Sequence, residues 1–148
     1  MAWIDASSVK LGCIGFHKTT KLNFYGSLAA CKKVNSKAHL IEIFNDNQSR
    51  FLMSEKVWKQ LRTHIGIDTH YGRYWWIGAE LKSGTWYWEH SKKQVTYWSR
   101  IGGNAYDTSS NPYCAIVYIS KTTAYWNYVQ CGQVGFYPSI CQISVMNK

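Results

Sequence analysis

The part of the sequence that decides the fold reads Cys114-Ala-Ile-Val-Tyr118, then Ala124-Tyr-Trp-Asn-Tyr-Val-Gln-Cys131, then Tyr137-Pro-Ser-Ile-Cys141. Three cysteines separate short runs of β-branched and aromatic residues, and Gly and Pro turn signals bound these runs. Cys114–Tyr118 and Tyr137–Cys141 are therefore predicted to be β-strands.

Length and composition indicate one compact domain. The chain has 148 residues, 46% of them hydrophobic, and its eight Trp and eleven Tyr predict a core filled by large rings. A net charge of +9 attracts anionic partners such as sulfated or uronic-acid glycans, phospholipid head groups or nucleic acid, or it only keeps the protein soluble. No apolar run approaches the roughly 20 residues that span a bilayer, so no membrane span is expected.

The cysteines indicate an oxidising compartment. Five cysteines without Cys-x-x-Cys spacing favour disulfides over a zinc ribbon or a thioredoxin motif. The first residues lack the basic and apolar regions of a signal peptide. We therefore interpret Met1 as a cytosolic start or as the start of a mature secreted chain, and the cysteines favour secretion. Spacing alone does not determine the connectivity of the disulfides.

Two helices are predicted in the first half of the chain. Asn23 is a suitable N-cap for a helix over residues 24–34, in which Leu28, Cys31 and Val34 are expected to share one face. The second helix is predicted to begin after Asn45-Asp46 and to run through Leu61.

The middle of the chain is rich in tryptophan and predicts strands followed by a loop. Strands are expected at 74–81, 85–88 and 95–98, and a strand near the start is expected at 11–16. Trp86 and Trp88 alternate with Tyr87, which indicates that they lie in the core. Trp98 is expected to be exposed at the edge of the loop that runs from Ser99 to Tyr113.

Several of these motifs together resemble the C-type lectin-like domain. Trp76-Ile77-Gly78 is similar to the core strand of that family, Ala38-His39-Leu40 to the strand after its first helix, and Trp126-Asn127-Tyr128 to its Trp-Asn-Asp triplet, followed at the right spacing by Cys131. The resemblance implies an α+β fold in which two helices flank antiparallel sheets and a long loop carries the binding site. It covers residues 10–145, with an N-terminal extension at 1–9 and a tail at 146–148.

The resemblance also implies how the cysteines pair. It joins Cys31 to Cys141 and Cys114 to Cys131, and it leaves Cys13 free or bonded to another chain.

Sugar-binding members of this family hold calcium in the long loop, largely through carboxylates. The corresponding positions here are Gly102-Gly103-Asn104, Pro112 and Tyr128, and Asp107 is the sole carboxylate from Ser91 to the C-terminus. Because calcium needs six to eight oxygen ligands, we expect no metal or other cofactor in the loop. A calcium site elsewhere, for example at Glu42, stays open.

The loop and its flanks are nevertheless the expected ligand-binding region. Tyr, Asn, Ser and Gly give an adaptable recognition surface, and binding loops usually sit on rigid scaffolds. The predicted ligand-binding residues are Trp98, Arg100, Asn104, Tyr106, Asp107, Asn111, Asn127 and Tyr128. A basic set near the first helix could add a polyanion site if its members converge, namely Lys18, Lys21, Lys32, Lys33 and Lys37.

These features predict a binding protein rather than an enzyme. The five histidines, His17, His39, His64, His70 and His90, show no metal-ligand spacing, and no Gly-x-Ser-x-Gly motif occurs. The first hypothesis is a secreted, calcium-independent lectin for glycans, in particular anionic polysaccharides, in innate recognition. The alternative is a protein-binding module of the same fold that dimerises through a Cys13 disulfide. Neither hypothesis involves nucleic acid.

Overall fold

The structure, a computed structural model, describes residues 1–66, 73–99, 112–135 and 137–144. The helical elements are a 3-10 turn at Ser7–Val9, α1 at Phe24–Val34, α2 at Asp46–Phe51, α3 at Glu55–Gln60 and a π-helical turn at Leu61–Ile65. The strands are β1 at Ile4–Asp5, β2 at Cys13–His17, β3 at His39–Leu40, β4 at Arg73–Lys82, β5 at Thr85–Trp88, β6 at Tyr113–Ile119, β7 at Ala124–Gln130 and β8 at Ser139–Ile143. The predicted α+β class is confirmed.

Helix α1 has the predicted bounds. The Asn23 side chain accepts a hydrogen bond from the Gly26 backbone N–H at 2.8 Å, which caps the first turn. Cys31 is buried as expected, but Val34 is 40% exposed. Steps of three residues fall short of the 3.6-residue turn, so by Val34 the series has rotated away from the core.

The second predicted helix is broken into two. Asn45 caps α2 by accepting from the Gln48 N–H at 2.9 Å. Residues 52–54 then leave the α-helical pattern, and Ser54 caps α3 by accepting from the Val57 N–H at 3.5 Å. The prediction of one continuous helix is wrong because Ser54 is a good N-cap, and its own hydrogen bond begins a new helix.

The strands form one mixed sheet in the order β1-β2-β8-β4-β6-β7, with β3 paired to β8 and β5 paired to β4. Among the described strands, β4 and β8 run parallel and the other pairs are antiparallel. The boundary predicted between the N-terminal extension and the domain, at residue 10, lies between β1 and β2. These two strands pair with each other. The strand predicted at 95–98 is not formed, and Val95 instead donates a single backbone hydrogen bond to Trp86 at 2.9 Å.

Strand β4 contains the Trp-Ile-Gly motif and lies at the centre of the sheet. The Gly78 N–H donates to the carbonyl oxygen of Ile41 at 2.9 Å. A Cβ atom at position 78 would lie 3.0 Å from the Leu40 carbonyl oxygen and 3.2 Å from that of Ile41. Glycine is therefore required here by the close approach of two backbones.

The sheet has two apolar faces. The core face bears Trp75, Val117 and Trp126, which the strand register places side by side in the larger hydrophobic cluster. The other, which we call the α1 face, bears Trp76 and Ile116, and Phe24 of α1 packs edge-on against Trp76 with 5.9 Å between ring centroids.

Two disulfides connect the elements in the pairing that the family resemblance implied. Cys31 bonds Cys141 across 110 residues and so ties α1 to β8, and Cys114 bonds Cys131 across 17 residues at the end of the β6–β7 pair. Cys13 is free and half-buried.

Candidate functional site

Strand β7 and Cys131, which follows it, anchor the two ends of the predicted binding loop. The Trp126 N–H donates to the Ser99 carbonyl oxygen at 2.8 Å, and the Ser99 hydroxyl donates to the Ala124 carbonyl oxygen at 2.8 Å. At the other end the Cys131 N–H donates to the Pro112 carbonyl oxygen at 3.0 Å. The predicted ligand-binding residues between these anchors lie outside the described residues, namely Arg100, Asn104, Tyr106, Asp107 and Asn111.

Trp98 belongs to the core. It is 8% exposed, and its ring centroid lies 5.0 Å from that of Trp86 and 5.2 Å from that of Trp126. The expectation that Trp98 is exposed is wrong, because its ring packs against both of these tryptophans before the loop begins. Trp98 therefore supports the start of the loop and offers a ligand little surface.

Asn127 and Tyr128 do not share a surface. The register pairs Asn127 with Ile116 on the α1 face and Tyr128 with Ala115 on the core face. The Tyr128 ring lies 5.0 Å from Tyr113, so these two rings form an aromatic pair beside the end of the loop. Asn127 lies on the opposite side of the sheet from that pair.

The calcium site of sugar-binding relatives does not fit the described residues. Pro112 and Tyr128 occupy two positions where the resemblance places acidic ligands, and neither side chain has a carboxylate. In the described parts of the chain, the metal-ligating side chains that come close together are Glu80, Cys114 and Cys131. The two sulfurs are bonded to each other and offer no thiolate. The described residues at the ends of the loop therefore supply no carboxylate to a calcium ion there.

Glu42 lines a pocket of about 680 Å³. The carboxylate is 3% exposed, and its Oε2 atom accepts from the backbone N–H groups of His90 and Ser91, each at 2.9 Å. Lys10 and Lys93 line the same pocket. One carboxylate with two hydrogen bonds already made, next to two lysines, is a poor site for a divalent cation.

Gln142, near Glu42, has a structural role. Its Oε1 atom accepts from the Glu42 N–H at 2.9 Å, and its Nε2 atom donates to the Leu11 carbonyl oxygen at 2.8 Å. The amide thereby joins β8 to two other segments, and both of its polar ends are engaged.

A basic groove of about 810 Å³ lies where β2 ends. Lys18 and Lys21 line it together with Thr19 and Thr20, and Val34 of α1 forms another part of its wall. Both lysines are exposed, as are Lys32, Lys33 and Lys37 at and beyond the last turn of α1. The structure thus brings part of the basic set together. The other described residues that line the groove are Met1, Ala2, Phe16 and His17, so none of the described lining residues is acidic.

His17 is the histidine that lines the basic groove. It is half-buried, and its Nδ1 atom is buried without a hydrogen-bond partner among the described residues. Burial lowers the pKa of His17, so the neutral ring is favoured and the groove takes its positive charge from the lysines.

The mixed sheet flanked by helices, the two disulfides and the loop anchored on β7 define a C-type lectin-like domain. The family model for the lectin C-type domain matches residues 20–143, and the chain belongs to this family. Its members are in general binding proteins rather than enzymes, and they are typically extracellular. No curated protein sequence matches the chain significantly.

Solved structures show the same fold at low sequence identity. Human lithostathine has a TM-score of 0.63 and 20% identity over 90% of this chain and 83% of its own. The murine dendritic cell inhibitory receptor 2 domain in complex with N-glycan has a TM-score of 0.61 and 18% identity, over 90% and 91%. EMS16, an antagonist of the collagen receptor integrin α2β1, has a TM-score of 0.57 and 16% identity, over 90% and 91%. Across the described residues, no helix is both long and apolar enough to span a bilayer.

Proposed function

We propose that this protein is a secreted lectin that recognises anionic glycans, sulfated ones in particular, without calcium in its long loop and in the context of innate recognition. The observation that carries the proposal is the basic groove. Lys18 and Lys21 converge on it, and Val34, which follows the two lysines of the last turn of α1, forms part of its wall.

The charge distribution supports an anionic ligand. No Asp or Glu occurs from residue 6 to residue 41, the segment that contributes most of the groove, and the whole chain carries +9. A cleft lined by one sign of charge concentrates ligands of the opposite sign and accelerates their association. The Thr19 and Thr20 hydroxyls add groups that can donate to sulfate or sugar oxygens.

The test is binding to a glycan array in calcium, in excess chelator and over a range of salt. We expect binding to sulfated or uronic-acid glycans that is insensitive to chelator and falls steeply with salt, because exposed charges are screened. Binding that chelator abolishes would mean that a calcium site operates in the loop. No binding in either buffer would reject the glycan hypothesis.

The second candidate is a protein-binding module joined into a dimer through Cys13. The free thiol of Cys13 favours it, and EMS16, which acts on an integrin, has the same fold. Against it, Cys13 is half-buried within β2, which has β1 on one side and β8 on the other. Non-reducing electrophoresis decides the matter, since a dimer that Cys13→Ser abolishes supports this candidate and a monomer excludes it.

A further inference from the structure

Four half-buried tyrosines lie in a row across the α1 face. The register places Tyr74 of β4 opposite Tyr118 of β6, and Tyr118 opposite Tyr125 of β7. The rings of Tyr118 and Tyr125 are stacked at 5.0 Å, Tyr74 packs edge-on against Tyr118 at 5.0 Å, and Tyr137 lies 6.1 Å from Tyr74. These contacts make a continuous tyrosine row, on the opposite face from Trp98 and Tyr128.

A hydrogen bond joins two hydroxyl groups of the tyrosine row. The Tyr74 and Tyr125 hydroxyls are 3.1 Å apart, and this hydrogen bond, with burial, raises the pKa of Tyr125 to about 12. Burial also raises the pKa of Tyr137. The Tyr125 and Tyr137 phenols therefore keep their protons at physiological pH, and they can lie beside a polyanion without repelling it.

The strand register brings one end of the row near residues of the basic groove. His17, the last residue of β2, pairs with Ser139, the first residue of β8. Lys18 therefore leaves the sheet next to the segment that enters β8, which contains Tyr137. At the start of β4 the exposed Arg73 adjoins Tyr74.

The surroundings of the row are free of acidic residues in sequence. No Asp or Glu occurs from residue 112 to residue 148, which includes β6, β7 and β8, and none occurs from residue 69 to residue 79. The segments that contribute the groove and the row therefore supply basic side chains and tyrosine rings but no carboxylate. This composition is complementary to a negatively charged chain built of rings.

We infer that the basic groove and the tyrosine row form one extended site for an acidic polysaccharide. The lysines bind its sulfate or carboxylate groups, and the tyrosines pack against its sugar rings. A tyrosine supplies contact area at low entropic cost together with a hydroxyl for hydrogen bonding, which suits a ligand with both C–H surfaces and hydroxyls. This inference rests on the proposed function and adds to it a location and a minimum ligand length.

The experiment titrates heparin fragments of increasing length by calorimetry into the wild type and into Tyr125→Ser. Two variants serve as controls. Tyr125→Phe keeps the aromatic ring at position 125, and Tyr87→Ser removes a 36% exposed tyrosine on β5, outside the row. We expect Tyr125→Ser to weaken long fragments by about tenfold, or 1.4 kcal/mol, and to leave the shortest ones unchanged, because only long fragments reach from the groove to the row. The salt dependence should stay at the wild-type slope, because no charge is removed.

A second measurement does not depend on a variant that folds. Tyrosine ring resonances of the wild type are followed by NMR while a long fragment is added, and those of Tyr74, Tyr118 and Tyr125 should shift. Fragments that bind without shifting these resonances, and that bind Tyr125→Ser like the wild type, overturn the inference and leave the proposed function standing. If no fragment binds the wild type, both the inference and the proposed function are overturned.

Discussion

The Oδ1 atom of Asn127 accepts a hydrogen bond from the backbone N–H of Tyr128 at 2.8 Å. Strand β7 lies at the end of the described sheet, so this N–H points away from β6. The neighbouring outward N–H, that of Trp126, is covered by the Ser99 carbonyl oxygen. The Asn of the Trp-Asn motif therefore protects a sheet edge, and its oxygen is engaged in this contact.

Calcium should leave the stability of the protein unchanged. We expect the same Tm in calcium and in excess chelator, for the wild type and for Asp107→Ala, because one carboxylate in the loop gives too few ligands. Scanning calorimetry in both buffers is the measurement. A calcium-dependent rise in Tm that Asp107→Ala removes would show that the loop does hold the ion.

His39 should make the protein sensitive to mild acid. It is 1% exposed, its Nδ1 atom lies 2.8 Å from the Leu40 carbonyl oxygen, and burial lowers its pKa to about 4. The unfolded chain binds this proton below pH 6.5, so the free energy of unfolding falls as pH drops from about 6.5 to about 4, by up to about 3 kcal/mol. Urea unfolding at several pH values measures the slope.

The control for this pH dependence of the free energy of unfolding is His90, whose ring stacks on that of His39. His90 packs on His39 with 3.7 Å between ring centroids but is exposed. His39→Gln should flatten the pH dependence over this window, whereas His90→Gln should keep most of it. Equal slopes for His39→Gln and the wild type would assign the acid sensitivity to other groups.

Tyr25 should stabilise the fold through Glu80. The phenol donates to Glu80 Oε2 at 2.6 Å, and this hydrogen bond raises the pKa of Tyr25 to about 12. Because Tyr25 is half-exposed, we expect Tyr25→Phe to cost about 1 kcal/mol, at the low end for a bond to a charged group. The contribution of this hydrogen bond to the free energy of unfolding is complete below pH 10 and is lost as pH rises towards 12.

Urea unfolding at pH 8 and at pH 11 measures this contribution. Tyr87→Phe is the matched control, since Tyr87 lies opposite Glu80 in the β4–β5 pair. A cost for Tyr25→Phe no larger than that for Tyr87→Phe would mean that the bond to Glu80 adds nothing.

The sequence predicted the elements that local signals determine and failed where packing decides. The Asn23 N-cap and the lysines of the last turn determine helix α1, and the Trp-Ile-Gly motif determines the central strand. Trp98 was misassigned because its burial depends on Trp86 and Trp126, which approach it only in the folded sheet. Likewise, no local pattern reveals that Tyr74, Tyr118 and Tyr125 meet, because their alignment depends on the register of three strands.

The two disulfides should contribute unequally to stability. In the chain-entropy model, the bond from Cys31 to Cys141 closes the longer loop and is worth about 4–5 kcal/mol, and the bond from Cys114 to Cys131 about 3 kcal/mol. Urea unfolding of the two double Cys→Ala variants measures the difference. A larger loss for the Cys114 and Cys131 variant would show that the effect of loop length is outweighed by packing around β6 and β7.

Lys18 and Lys21 should carry the electrostatic part of glycan binding. We expect Lys18→Gln/Lys21→Gln to weaken a heparin fragment by about tenfold at low salt, because two exposed charge contacts are worth roughly 0.7 kcal/mol each. The slope of log affinity against log salt should also become shallower, since fewer ions are released on binding. Lys59→Gln/Lys92→Gln removes the same charge from the net +9 at exposed positions outside the basic groove. If both double variants lose affinity equally, the attraction comes from the net charge of the whole protein rather than from the groove.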